Sequence, residues 1–240
     1  MLFNTWVFAT FFLIFFPLYV LARKKIIFRN GLLLASSYVF YGWWDARFLV
    51  LVAISTSVDY VAALGASGQA ISKTERLKSV SFLILASLVS LGVSGRTTTV
   101  VVLSTALVIS IVSVAFFAIQ SAPKAYQRKC WLSLSLVVNL TILAFFKYAT
   151  FFATSLVEAV SFFGIALDVP TLKIILPVGL SFYTFQAISR TFDSYRGVFV
   201  PGRSLIDYAA YHAFFPQLVA GPIERAAHLM PQFERVLLIL

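Results

Sequence analysis

From residue 3 to residue 220 the chain is a succession of long apolar runs parted by short basic loops, and that pattern leaves few folds open. Hydropathy places helices at about 3–22, 30–44, 46–64, 79–94, 97–118 and 131–149. An interfacial segment at 150–164, a further span at 174–192 and an apolar stretch at 204–220 follow. With 60% hydrophobic and 12% charged residues among 240, a single soluble core cannot enclose so much apolar surface. The expected fold class is all-α, a polytopic integral membrane protein of about 7–8 transmembrane or re-entrant helices. No repeat period and no Gly/Ser-rich linker divides it, so one domain is expected over 1–240.

Charge agrees with this layout. Of nineteen basic residues, ten lie in alternate loops: Arg23, Lys24, Lys25 and Arg29, then Lys73, Arg76 and Lys78, then Lys124, Arg128 and Lys129. Positive-inside bias makes those loops cytoplasmic and puts the N-terminus outside. The net charge of +10 thus reads as topology and affinity for anionic lipid, and a nucleic-acid partner is not expected. Residues 1–22 precede their basic cluster, the reverse of a signal peptide, and are expected to be a retained span. Cys130 is the only cysteine, which excludes an internal disulfide. The 15 residues of 30–44 would reach only about 22 Å as a helix, short of a hydrocarbon core of roughly 30 Å. Local thinning or a re-entrant path is the expected consequence.

Several polar residues stand out against this background. In "SSYVFYGWWDARF" (36–48), Tyr38, Tyr41, Trp43 and Trp44 suit an interfacial belt, or a polar mouth beside Asp45 and Arg47. Asp59 is costly inside a span unless a basic loop residue or a backbone cap pairs with it, or unless it has a function. In 175–197, Pro177 and Gly179 are expected to loosen a helix near its outer end. Ser181 and Thr184 share one face of that helix, and Gln186 and Arg190 another. These groups suit either helix–helix hydrogen bonding or a water-filled pathway. His212 and His228 are the only histidines and lack metal-site spacing, so no metal is expected and His212 reads as a satisfied polar residue. Pro216 and Pro222 are expected to end a short helix, with Glu224-Arg225 returning the chain to water. These readings leave a transporter and a membrane-embedded enzyme both open.

The blocks "RNGLLLASSYVFYGWWDARFL" (29–49), "FFKYATFF" (145–152), "ILPVGLSFYTFQAISRTFDSYRG" (175–197) and "LIDYAAYHAFFPQLVAGPIER" (205–225) resemble the N-terminal half of the membrane-bound O-acyltransferase family, nearest its alginate O-acetyltransferase branch. The resemblance implies part of a helix ring around a funnel in the bacterial inner membrane, multi-pass. It implies an acyl donor on the cytoplasmic side, acetyl-CoA or another acyl thioester. It also implies acetyl transfer to alginate or another exported polysaccharide, through periplasmic acetyl-accepting or polysaccharide-modifying partner proteins. The family's catalytic histidine acts as general base on the acceptor hydroxyl, and its motif is expected downstream of Leu240. No catalytic residue is therefore assigned here, and no bound cofactor is expected. Gln186, Asp193, Tyr195 and Arg196 match the family's Q…D-Y-R-G positions, and Gln217, Gly221 and Pro222 match its later block. The resemblance makes these seven candidates for the funnel and donor entrance, with Asp193 and Arg196 holding a cytoplasmic loop. Arg190-Thr191 departs from the family pattern. The competing expectations are a non-enzymatic transporter or export subunit, and an inactive structural partner. Part of a helix ring is also expected to turn polar interior faces towards lipid and so to be unstable alone.

Overall fold

A computed structural model describes residues 3–93, 98–162, 177–221 and 224–235, and all statements of structure concern these. They are helical and contain no strand. The order is α1 (Trp6–Ala22), α2 (Ile26–Asp45), a 3₁₀ turn (Ala46–Phe48), α3 (Leu49–Ala66), α4 (Lys73–Val93), α5 (Thr98–Ser121), α6 (Lys124–Phe162), α7 (Leu180–Arg196), α8 (Leu205–His212), α9 (Phe215–Ala220) and α10 (Ala226–Glu234).

The organising element is α3. Every residue of it except Leu51 is buried, so it needs neighbours on all sides. Helices α4, α6 and α7 supply most of that cover. Contact with α6 is close because Gly65 lies flat under the Trp131 indole; a Cβ at Gly65 would come within 2.3 Å of the ring. Reciprocal serine bonds tie α3 to α4: Ser57 Oγ donates to the Ser79 carbonyl at 3.1 Å, and Ser79 Oγ to the Ser57 carbonyl at 2.8 Å. A second layer, made of α1, α2, α8, α9 and α10, packs through aromatic rings. Phe215 of α9 meets Phe11, Phe15 and Phe40 at centroid distances of 5.3–5.4 Å.

A polar latch closes this layer. Arg29 and Asn30 of α2 are both fully buried. Arg29 donates to the carbonyls of Gln232 (3.1 Å), Phe233 (2.7 Å) and Arg235 (2.8 Å), and so caps the C-terminal end of α10. Asn30 donates to the Phe233 carbonyl (2.8 Å) and to Asp207 of α8 (2.7 Å).

The structure corrects several boundaries. Helix α2 runs over 20 residues rather than 15, reaching about 30 Å, because Arg29 is an internal latch residue beside Asn30 and not loop. The thinning argued from its shortness does not apply. Helix α4 starts at Lys73 rather than 79, and the cause was legible. Ser72 and Glu75 form a capping box, in which Glu75 accepts from the Ser72 N–H at 2.8 Å and Ser72 Oγ accepts from the Thr74 N–H at 3.2 Å. The span at 131–149 and the interfacial segment at 150–164 are one helix of 39 residues, since no Gly or Pro interrupts it. The side chain of Glu158 lies outside the described residues. The stretch 204–220 is two short helices with a break at Ala213-Phe214, and α10 was not foreseen.

Two helical stretches, Ile26–Ala66 and Lys124–Val157, are long and apolar enough to cross a membrane; Trp6–Ala22 and Thr105–Ser121 are shorter apolar helices. Large side chains such as Leu85, Leu88, Val137, Phe145, Phe151 and Phe152 form an exposed apolar surface.

Two outcomes test this packing. Arg29→Ala is expected to lower stability by about 2–4 kcal/mol, since it strands buried carbonyls, with a fall in the unfolding midpoint of the detergent-solubilised protein. Gly65→Ala is expected to cost about 1–3 kcal/mol in the same measurement by displacing Trp131, and Gly31→Ala, whose Cβ would meet nothing within 4 Å, much less.

Candidate functional site

The polar residues singled out from the sequence converge on one buried centre between α3, α6, α7 and α8. Its first half surrounds Asp59, which is fully buried. Asn139 Nδ2 of α6 donates to both carboxylate oxygens at 2.8 and 3.0 Å. Ser135 Oγ donates to Oδ1, while Ser55 Oγ stands 3.2 Å from Oδ2 and donates to Asn139 Oδ1 at 2.8 Å. Neither a basic loop residue nor a backbone cap holds Asp59, contrary to expectation. Side-chain donors from two helices do so instead.

The second half is built on α7. Leu180, Tyr183, Thr184, Ala187, Arg190, Thr191 and Ser194 face inward, while Phe182, Phe185 and Phe192 face outward. The polar groups of this helix therefore point into the protein, not away from it as expected for part of a ring. Arg190 is fully buried and donates Nη1 to the Asp59 backbone carbonyl at 3.1 Å. Its guanidinium lies 3.8 Å from the centroid of the Tyr208 ring on α8. Its Nε and Nη2 have no hydrogen-bond partner. Arg190 and Asp59 thus place opposite charges in one buried core without a direct ion pair. The sequence marks Arg190 as a departure from the family pattern; in the fold it adjoins the one deeply buried carboxylate of α3.

His212 closes the centre from α8. Its ring packs at 5.5 Å on Tyr208 and edge-on at 5.6 Å to Tyr183. It is fully buried, yet among the described residues neither ring nitrogen has a hydrogen-bond partner, so the reading of His212 as satisfied is corrected. No carboxylate orients it, and a general base needs both an orienting group and access to its substrate.

The seven candidates of the two family blocks do not form one cluster. Gln186 and Gln217 are brought together, Gln186 Nε2 lying 3.4 Å from Gln217 Oε1 and donating to the Tyr211 carbonyl at 3.2 Å. That bond to another helix's backbone is the helix–helix role expected of an amide. Gly221 follows α9, its N–H donating to the Gln217 carbonyl at 3.1 Å; a Cβ there would stand 2.8 Å from Gln217 Cα. Pro222 lies outside the described residues.

Asp193, Tyr195 and Arg196 sit at the end of α7. The helix stops at Gly197, which has φ 74°, and the Val198 N–H returns to the Asp193 carbonyl at 3.0 Å. Asp193 therefore holds the following segment through its backbone, while its Oδ2 is buried without a partner. Arg196 is exposed, with its guanidinium 5.7 Å from the Phe192 ring centroid. Tyr195 lies under the Arg128 guanidinium at 5.3 Å. Side chains that sequence reasoning did not select hold the segment after α7. Tyr60 donates to the Arg203 carbonyl at 2.7 Å and Gln69 to the Pro201 carbonyl at 3.0 Å, and Arg203 pairs with Glu75 at 3.1 Å. Hydrogen bonding from Ser72, aided by Arg203, holds the Glu75 carboxyl down to about 2. Only the capping box hinted at any of these.

At the other end of α7, Pro177 and Gly179 precede the helix rather than loosen it. Gly179 has φ 74°, and a Cβ there would stand 2.7 Å from the Leu218 carbonyl oxygen of α9. Tyr41 of α2 donates to the Val178 carbonyl. The aromatic belt is thereby divided: Tyr41 is buried and used internally, while Trp43 and Trp44 face outward. Beside them, Asp45 binds Arg47 in a two-pronged pair and accepts the Arg47 N–H at 3.0 Å. Among the described residues no three His, Cys, Asp or Glu side chains group as metal ligands do.

Fold and site define an all-helical protein whose interior charges are held by helix packing, with stretches long and apolar enough to cross a membrane. By sequence the chain is a relative of the alginate O-acetylases, as its motifs indicated. It is 36% identical over 234 residues to the probable alginate O-acetylase of Pseudomonas aeruginosa, covering 97% of this chain and 34% of that protein. The Azotobacter vinelandii counterpart is also 36% identical, again over 97% of this chain and 36% of its own length. A peptidoglycan O-acetyltransferase of Helicobacter pylori is 35% identical over 141 residues, 48% of this chain and 25% of that protein. The chain thus spans about a third of the length of the curated relatives it matches, less than the half expected. No family model and no solved structure matches it.

The Asp59–Arg190 arrangement has a direct test. Asp59→Asn or Arg190→Met alone is expected to cost about 3–5 kcal/mol by leaving the other charge uncompensated. The double variant is expected to be less destabilised than the sum by about 1–3 kcal/mol, read as a double-mutant cycle on unfolding midpoints.

Proposed function

We propose that this chain is part of a membrane-bound O-acyltransferase that passes acetyl groups across the bacterial inner membrane onto alginate or another exported polysaccharide. The observation that carries this reading is the alignment of nearly the whole chain with alginate O-acetylases. The additional match to a peptidoglycan O-acetyltransferase favours leaving the acceptor polymer broader than alginate.

In this reading the chain lies in the inner membrane with several spans and its N-terminus outside, and its basic loops face the cytoplasm. The donor is acetyl-CoA or another acyl thioester approaching from that side, and periplasmic acetyl-accepting or polysaccharide-modifying proteins receive the acetyl group. The buried polar centre around Asp59, Arg190 and His212 serves as scaffold. The bonds that Ser135, Asn139 and Arg190 make to Asp59 fix the angles between α3, α6 and α7. The end of α7 is the working edge: Arg196, with Lys129 nearby in sequence to Arg128, offers exposed positive charge to an anionic donor. The general base is supplied by sequence that aligns beyond this chain.

A chimera tests the reading. The stretch of this chain that aligns with the Pseudomonas aeruginosa relative replaces the matching segment of that protein in a strain lacking it, and acetate released from purified polymer is measured. Acetylation is expected to return, and Arg196→Ala in the chimera is expected to lower it by up to about tenfold, the equivalent of one lost charge contact. A chimera that is present in the membrane at normal level yet leaves the polymer unacetylated would count against the proposal.

A further inference from the structure

Outside the polar centre, a crevice of about 310 Å³ opens between α3, α4 and α5. Its mouth carries Lys73 and Arg76, and its walls are formed by Val61, Leu77, Val80 and Val112. It is amphiphilic by construction. Arg76 is turned over the Phe116 ring, with its guanidinium 3.9 Å from the centroid, which leaves its charge at the rim. Glu75, the nearest acid in sequence, points away to Ser72 and Arg203 and does not line the crevice. The cations at the mouth therefore face no carboxylate of the lining.

A separate cavity of about 20 Å³, too small for a methylene, lies beneath it against Ser79, Val80 and Val112. From Arg76 to Val80, which both line the crevice, the rise along α4 is about 6 Å, enough for the first few methylenes of one acyl chain. The paired serines Ser57 and Ser79 satisfy each other's carbonyls along the α3–α4 seam, so that edge presents few unmet polar groups to a hydrocarbon. A basic rim above an apolar slot is complementary to an anion that carries a hydrocarbon tail.

We propose that this crevice binds an anionic phospholipid, its phosphate at Lys73 and Arg76 and one acyl chain between α4 and α5. This rests on the reading of the chain as a membrane protein whose basic loops face the cytoplasm, where anionic headgroups meet such rims. The lipid would wedge α5 against α3 and α4 where protein contacts are open.

The full chain, purified in mild detergent and stripped of lipid, is titrated with phosphatidylglycerol, phosphatidylcholine, inorganic phosphate and coenzyme A, with the thermal unfolding midpoint as readout. Phosphatidylglycerol alone is expected to raise the midpoint. The double variant Lys73→Gln/Arg76→Gln is expected to require at least about tenfold more of it. Ser113→Trp, an exposed position on the crevice wall that leaves both charges in place, is expected to weaken the response similarly, which separates a slot from general surface attraction. An equal response to phosphatidylcholine, a response to phosphate or coenzyme A alone, or undiminished phosphatidylglycerol binding in both variants would each overturn the proposal. Recovery of the chain from the soluble fraction of the cell, rather than the membranes, would instead overturn the reading beneath it.

Discussion

A helix buried on every side and carrying a carboxylate is the constraint on which this structure depends. Helix α3 contributes Asp59 to a region with no access to solvent, and an unpaired charge there would cost more than any single contact returns. The fold answers with donors from α6, Asn139 and Ser135, and with Arg190 of α7 laid against the Asp59 carbonyl. Each of those donors fixes a helix in rotation and in depth. The glycine beneath Trp131 then sets how near α6 can come. Packing around α3 is thus dictated by polar satisfaction as much as by apolar area, as expected where a carboxylate is fully buried.

The same logic explains the second layer. Arg29 and Asn30 stand in a sequence stretch rich in positive charge, where exposure to the loop is the simplest reading. Their burial is made tolerable by three carbonyls and one carboxylate that α8 and the end of α10 would otherwise leave unpaired. The segment after α7 is held likewise, by Tyr60, Gln69 and Glu75 from the other end of the chain. Elements more than 100 residues apart are stitched by side chain to backbone bonds, leaving the exposed faces to Leu, Val and Phe.

Much of the candidate site was legible as residue type and little of it as geometry. Gln186 and Gln217 were each selected from a motif, and their approach to one another needed the break at Ala213-Phe214 that sets α9 back against α7. Arg190 was visible as a charge out of place, but nothing in sequence ties it to a residue 131 positions earlier. The capping box at Ser72–Glu75 could have corrected the start of α4, because its signal is local. Burial of Arg29 and Asn30 could not have been found that way, because the carbonyls that receive them lie more than 200 residues away. His212 was read as a satisfied polar residue, and among the described residues its ring nitrogens have no hydrogen-bond partner, a feature that only packing reveals.

By itself, the sequence determined the class of protein. Apolar runs of helical length admit helices and little else, and the motif blocks carry kinship to the alginate O-acetylases. Hydropathy is additive along the chain, so it survives being read one residue at a time. Only the tertiary structure decided which polar residues face inward, which glycines stand under a ring or a carbonyl, and which basic residues rim a crevice rather than merely a loop. Those outcomes depend on pairs of groups far apart in the chain, and a pair has no signature at either of its positions alone.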